Sequence, residues 1–240
     1  MGLYSFPNNT YTSYSFDGPS SLSFNFAATK AGAALLVFSQ TMGYPNPVYP
    51  TVSGGSVTAA GWTMIAGNDQ GVVPTGNNSE TLSASIFLAT AASTATGSIT
   101  VSVGTSVYPF AFFIMEVDSL GSGWSHGAAV GLASPVGASI NTPVSLPGVT
   151  MVSTDALYLV SVAGLGETMT TTPTITSGAY VWENPNTTGP LYTPYGYQEF
   201  TGGGVISVDW TGGTGTTDYS ALVCTSIATP VPQNNIVMWL

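Results

Sequence analysis

The chain has 240 residues, long enough to bury a core without disulfides or metal. Only 5% of them are charged, against roughly 25% in an average soluble domain; one Lys, no Arg and eleven Asp plus Glu leave a net charge of −10. Nucleic-acid binding, phosphoryl-transfer sites and polybasic membrane anchoring are excluded, since each needs Lys and Arg to meet phosphate, and 44% apolar with 11% aromatic content excludes disorder.

Residues 1–19 are polar and aromatic and are expected to form an N-terminal arm. Their opening, Met1-Gly-Leu-Tyr-Ser-Phe-Pro-Asn-Asn, has neither a basic n-region nor an apolar h-region, so no export signal is expected. From there the pattern predicts strands at 20–26, 33–40, 57–58, 63–67, 83–89, 97–103, 110–117, 142–146, 156–162, 175–180, 196–200, 205–210 and 220–227. Gly, Pro and Asn punctuate them at the short spacing of a sandwich. The best helical candidate, 89–95, holds too much Thr and Ser to stand as a helix, and no run of 18 apolar residues is present to cross a membrane.

The order of these strands repeats weakly. Ala34-Leu-Leu-Val-Phe-Ser, Ala84-Ser-Ile-Phe-Leu-Ala-Thr, Gly97-Ser-Ile-Thr-Val-Ser-Val and Phe110-Ala-Phe-Phe-Ile-Met-Glu-Val are echoed by Ala156-Leu-Tyr-Leu-Val-Ser, Gly196-Tyr-Gln-Glu-Phe-Thr, Gly204-Val-Ile-Ser-Val-Asp-Trp and Ser220-Ala-Leu-Val-Cys-Thr-Ser-Ile. Two like halves that each leave one sheet face uncovered can bury those faces against each other. The expected fold is therefore all-β, a jelly-roll-like antiparallel β-sandwich built from two weakly repeated halves. It forms a single domain over 20–228, followed by a C-terminal extended arm at 229–240. In that arm Pro230 and Pro232 cannot donate to a ladder. The apolar end Ile236, Val237, Met238, Trp239 and Leu240 must dock on its own sandwich or on a neighbouring subunit.

Several strings carry a family likeness. Gly61-Trp-Thr-Met-Ile-Ala-Gly, Ser83-Ala-Ser-Ile-Phe-Leu-Ala-Thr, a strand ending Met115-Glu-Val-Asp, Thr154-Asp-Ala-Leu-Tyr-Leu-Val-Ser-Val-Ala-Gly and Val208-Asp-Trp-Thr-Gly lie in the same order as in a known family. It resembles the β-sandwich family of minor tail and other virion-surface proteins of tailed bacteriophages, notably those of actinobacterial hosts. The resemblance covers roughly residues 20–228 and rests on apolar, Gly and Trp positions. It implies a sandwich and a place on a virion, and it carries over no catalytic residue.

The residues capable of chemistry are few. His126, in Gly123-Trp-Ser-His-Gly, lacks the strand-to-helix nucleophile elbow of a serine hydrolase and reads as a loop histidine. Cys224 lies on the same strand face as Leu222 and reads as a small core residue. Glu116 and Asp118 share a strand face, the arrangement of a carboxylate pair. A turn role for Asp118, accepting from the amides of the following Ser-Leu-Gly, explains it without catalysis. One His and one Cys do not make a zinc site. Asp69, Glu80, Asp155 and Asp218 are loop oxygens of the kind calcium takes, without a contiguous Asp-x-Asp-x-Asp loop, so no cofactor or metal is expected. Aromatic side chains gather at Tyr180, Trp182, Tyr192, Tyr195 and Tyr197, and at Tyr44 and Tyr49, beside Asn and Pro. Such a group can anchor a protein interface, pack a loop, or stack on sugar rings.

With charge nearly absent, solubility falls to Ser and Thr, about a quarter of the chain, and such a surface suits a subunit covered by neighbours. The expected function is a non-enzymatic structural protein of a phage virion, in the tail, fibre or capsid decoration. It would be bound to copies of itself and other virion proteins, without nucleic acid or membrane insertion. The alternative is a carbohydrate-binding module or adhesin tip that recognises host surface glycan.

Overall fold

The computed structural model describes residues 4–7, 9–14, 21–27, 30–43, 46, 48–54, 58, 60–75, 78–92, 96–104, 107–119, 123–134, 144–145, 148–166, 174–175, 181–183, 191–192, 195–206, 209–211 and 217–229. The first half holds β1 (Tyr4–Ser5), β2 (Asn9–Tyr14), β3 (Ser21–Ala27), β4 (Ala34–Gly43), β5 (Thr51–Ser53), β6 (Thr63–Thr75), β7 (Asn78–Thr90), β8 (Thr96–Ser102) and β9 (Val107–Ser119). The second holds β10 (Ser125–His126), β11 (Val130–Ser134), β12 (Val144–Ser145), β13 (Val149–Thr150), β14 (Asp155–Gly166), β15 (Thr174–Ile175), β16 (Val181–Glu183), β17 (Leu191–Tyr192), β18 (Tyr195–Thr201), β19 (Val205–Ile206), β20 (Asp209–Thr211) and β21 (Thr217–Ala228). All described elements are strands, and all their pairings are antiparallel, as in a β-sandwich.

Two main sheets face each other. The first runs β9, β4, β7, β6, with β1 and β2 both laid along the outer side of β9; the second runs β21, β14, β18, β16, with β10 and β11 along β21. Three smaller sheets, β3-β8-β5, β13-β19 and β12-β20-β15, accompany them. The central strands are covered on both faces: all ten residues of β4 are buried. A strand enclosed on both sides needs apolar side chains at every position, and its sequence becomes a continuous apolar run.

Alternation then sorts those side chains into separate cores. Ala34, Leu36, Phe38 and Phe113 meet Leu157, Leu159, Val223 and Ile227 between the main sheets, so residues of both halves build the central core. Leu35, Val37 and Phe112 point the other way, beneath Phe26, Ile99 and Val101 of β3 and β8. Tyr158, Val160 and Cys224 form a third cluster with Val149 and Met151. A polar link crosses the central core, where Gln40 Nε2 donates to Ser161 Oγ at 2.8 Å and that hydroxyl donates to Ser39 O at 3.4 Å.

Both sides of the sandwich are closed. On one, Asn68 Nδ2 of β6 donates to Leu222 O at 3.0 Å, and Gly131 passes so near that a Cβ there would lie 2.6 Å from Asn68 Cγ. On the other, the Tyr4 amide donates to Glu199 Oε1 at 3.3 Å, and the Phe6 ring packs on Tyr197 with centroids 4.4 Å apart.

Several elements differ from the sequence expectation. The stretch before residue 20, expected as an arm, supplies β1 and β2 as edge strands on β9. The expected strand at 63–67 continues to Thr75, with register shifts between Met64 and Ala66 and between Gln70 and Val73. Of the expected strand at 57–58, residue 57 lies outside the described residues and Thr58 forms an isolated bridge to Ala91. Of the expected C-terminal arm, residues 230–240 lie outside the described residues.

Candidate functional site

The carboxylate pair at the end of β9 is held by the one lysine. Lys30 Nζ lies 2.6 Å from Asp118 Oδ1 and donates to Ser119 O at 3.0 Å, while the Lys30 amide donates to Glu116 Oε1 at 3.2 Å. Gly32, two residues on, has φ +82°, a left-handed bend that glycine adopts without strain and that turns the chain back into β4. Leu120 and Gly121 of the turn expected for Asp118 lie outside the described residues; the contact seen for Asp118 is this clasp, made where the 30–33 loop reaches back over the strand end. Glu116 is fully buried and Lys30 is half exposed. An exposed pair of this kind contributes about 0–1 kcal/mol, and both carboxylates are engaged in holding a loop, not in facing an open cleft. With no Arg in the chain, Lys30 is also its only Lys or Arg side chain.

The expected aromatic surface is divided among different roles. Tyr195 is a core residue, 1% exposed, stacked on Phe113 with centroids 3.8 Å apart and 5.4 Å from the ring of Phe38. This corrects the expectation of a contact residue: alternation along β18 turns positions 195 and 197 towards the first sheet. Tyr197 is half buried beneath Phe6. Tyr49 donates its hydroxyl to Asp69 Oδ2 at 2.8 Å, and burial, the hydrogen bond and the charge of Asp69 all raise its phenol above the ordinary range. Trp182 lies in β16 and Tyr192 in β17; their side chains fall outside the described residues, as do Tyr44, Tyr180 and Ile236, Val237, Met238, Trp239 and Leu240 entirely.

His126 is exposed on β10 opposite Ile227, with Nδ1 3.2 Å from Gly127 O. Cys224 is enclosed in the third cluster, where burial pushes its thiol up to about 12 against a smaller opposing effect from the Tyr158 hydroxyl. A thiol so placed is a packing group, not a nucleophile. Among the described residues no three His, Cys, Asp or Glu gather to hold a metal ion. The four carboxylates weighed for calcium as loop oxygens lie in strands instead, Asp69 in β6, Glu80 in β7, Asp155 in β14 and Asp218 in β21; Asp69 is taken by Tyr49, and Asp155 offers its backbone oxygen to the Tyr4 hydroxyl at 3.2 Å.

Sequence reasoning missed a band of hydroxyls on the outward face of the first main sheet. Cross-strand register aligns Thr41 with Ser83 and Asp69, and Ser39 with Ser85 and Gly67. Thr41 Oγ1 donates to Val48 O at 2.5 Å, and Tyr49 lies over Gly67, its Cε1 3.3 Å from where a Cβ would be. The hydroxyls of Ser39, Ser83 and Ser85 are buried without a hydrogen-bond partner among the described residues. Each such group costs about 1–3 kcal/mol unless satisfied, and the carboxylate in the row, Asp69, is occupied by the Tyr49 hydroxyl. The signal was present as Ser39-Gln-Thr41 and Ser83-Ala-Ser85, polar positions inside otherwise apolar runs.

In comparisons with known proteins, the chain matches no family model, no curated sequence and no solved structure.

Proposed function

We propose that the protein is a non-enzymatic structural component of a tailed-phage virion, placed in the tail, fibre or capsid decoration and working through contacts with copies of itself and other virion proteins. The observation that carries this reading is the disposition of charge. The one lysine is spent on Asp118 and on backbone, the remaining charge is carboxylate, and Ser and Thr make up about a quarter of the chain. Such a composition suits permanent neighbours better than a diffusing enzyme. The family likeness of the strand strings agrees with it. The apolar end at Ile236 to Leu240 is the proposed contact with a neighbouring subunit.

The test is mass spectrometry and antibody labelling of purified particles released by host lysis. The protein is expected in intact particles in several copies, and particles that lack it refute the reading. A variant without residues 236–240 is expected to fold and to fail at incorporation. The glycan-binding alternative loses Tyr195 from its stacking surface, and a saccharide preference on a glycan array would restore it at the expense of the structural reading.

A further inference from the structure

The two halves agree in strand order, and over the ranges below their registers agree residue by residue; beyond them β12–β20, with Val144↔Trp210, departs by one residue from β3–β8, with Ser21↔Ser102. Let residues 4–14 correspond to 124–134, 26–43 to 149–166, 81–102 to 190–211 and 107–119 to 217–229. The pairs Ser5↔Asp118 and Thr10↔Ile114 then become Ser125↔Ala228 and Val130↔Cys224, which are observed. Ala34↔Thr90 becomes Leu157↔Glu199, and Phe26↔Gly97 becomes Val149↔Ile206. Even the irregularity repeats: Thr41↔Phe110 followed by Gly43↔Val107 becomes Gly164↔Ser220 followed by Gly166↔Thr217.

This correspondence fixes how the halves meet. A residue touches its own counterpart only beside a two-fold axis, and contacts away from the axis must come in reciprocal pairs. Ser119 corresponds to Thr229, and their hydroxyls are hydrogen-bonded at 2.9 Å. Tyr4 corresponds to Trp124, and their rings pack with centroids 6.0 Å apart. Gly32 corresponds to Asp155. The Tyr4 hydroxyl donates to Asp155 O at 3.2 Å, and Trp124 Nε1 donates to Gly32 O at 2.8 Å, the same contact made in both directions.

The core between the sheets has departed from that symmetry in a complementary way. Phe38 corresponds to Ser161 and Gln40 to Ala163, so the first half holds the large side chains and the second the small ones. Gln40 of one half reaches Ser161 of the other. Two first halves would set Gln40 against Phe38 and bury an amide without a partner, whereas two second halves would leave a void between Ser161 and Ala163.

We propose that the interface between the two main sheets is a two-fold subunit interface between like units, enclosed within one chain by fusion and specialised so that each unit fits the other and not a copy of itself. The test exchanges the axial aromatics in the full chain. Tyr4→Trp and Trp124→Tyr, made singly, put two like rings on the axis and are expected to lower the midpoint of thermal unfolding by about 3–6 °C each. Made together they rebuild one phenol and one indole in reversed positions, with both carbonyl contacts intact, and are expected within about 2 °C of the parent. An exchange variant that falls by the sum of the single losses overturns the proposal. Should a single variant fail to fold, the exchange variant decides alone: a midpoint within about 2 °C of the parent is expected, and an exchange variant that also fails to fold overturns the proposal.

Discussion

The hydrogen bond from Gln40 to Ser161 tests whether the two halves unfold as one. Both residues are about 1% exposed or less, on opposite main sheets, and Gln40 Nε2 has Ser161 Oγ at 2.8 Å. Ser161→Ala removes the acceptor and leaves a buried amide group short of a partner, a loss of about 1–3 kcal/mol. In a chain of this size each kcal/mol moves the midpoint by about 2–4 °C, so the variant should melt roughly 2–12 °C lower. Gln40→Leu in the same background removes the donor as well and keeps the volume, and replacing both partners by apolar groups is close to neutral. The double variant should therefore recover to within about 1 kcal/mol of the parent. The assay is thermal and urea unfolding followed by far-UV and near-UV circular dichroism. A neutral Ser161→Ala, or a double variant as unstable as the sum of its parts, would refute the cross-sheet bond. Two separate transitions, only one of them moved, would refute a shared core.

Cys224 should resist thiol reagents in the native protein and react fully on unfolding, because burial pushes its thiol to about 12; rapid stoichiometric labelling of folded protein would contradict its placement. Tyr4, raised to about 12 by burial and then by Asp155 and Glu199, stabilises the fold while neutral. The unfolded chain ionises this phenol first, so its contribution is whole below about pH 10 and is lost as pH rises towards 12. Melting temperatures of the parent and of Tyr4→Phe should converge over that interval, and parallel curves would count against it. If copies associate, added salt should strengthen the association by screening net charge of the same sign. Sedimentation showing assemblies dispersed by 0.5 M salt, on the order of a 4 Å screening length, would point instead to ion pairs that one lysine cannot supply.

The central strands were legible because doubly covered strands must be apolar at every step. Ala34-Leu-Leu-Val-Phe and Ala156-Leu-Tyr-Leu-Val declare themselves whatever their neighbours. β2, Asn-Thr-Tyr-Thr-Ser-Tyr, was not legible, because an edge strand held by backbone bonds to β9 shows no apolar alternation. β1, β10 and β13 are two residues long, below the length at which periodicity has meaning. The repeat was visible as an order of strings, but its two-fold character was not. Contacts such as Ser119 with Thr229 join positions far apart in the chain and carry no local signature. For the same reason Tyr195 stood in a sequence cluster of aromatics while its ring belongs to a core assembled mainly from the other half.

The apolar content of the chain also takes a different meaning once the layers are known. From composition alone, 44% apolar residues with few charges reads as a surface that adheres to its neighbours. The fold accounts for much of that fraction internally: two main sheets are each covered on both faces, so their strands consume apolar residues at twice the rate of a sheet with one wet face. Among the described residues, the only exposed large hydrophobics are Met64 and Val205. What distinguishes the chain is a single Lys with no Arg beside a wealth of hydroxyls, and contacts built from such groups gain specificity from shape and many small hydrogen bonds. Contacts of that kind become strong only when repeated, and in the proposed virion role the regular packing of identical subunits would supply that repetition.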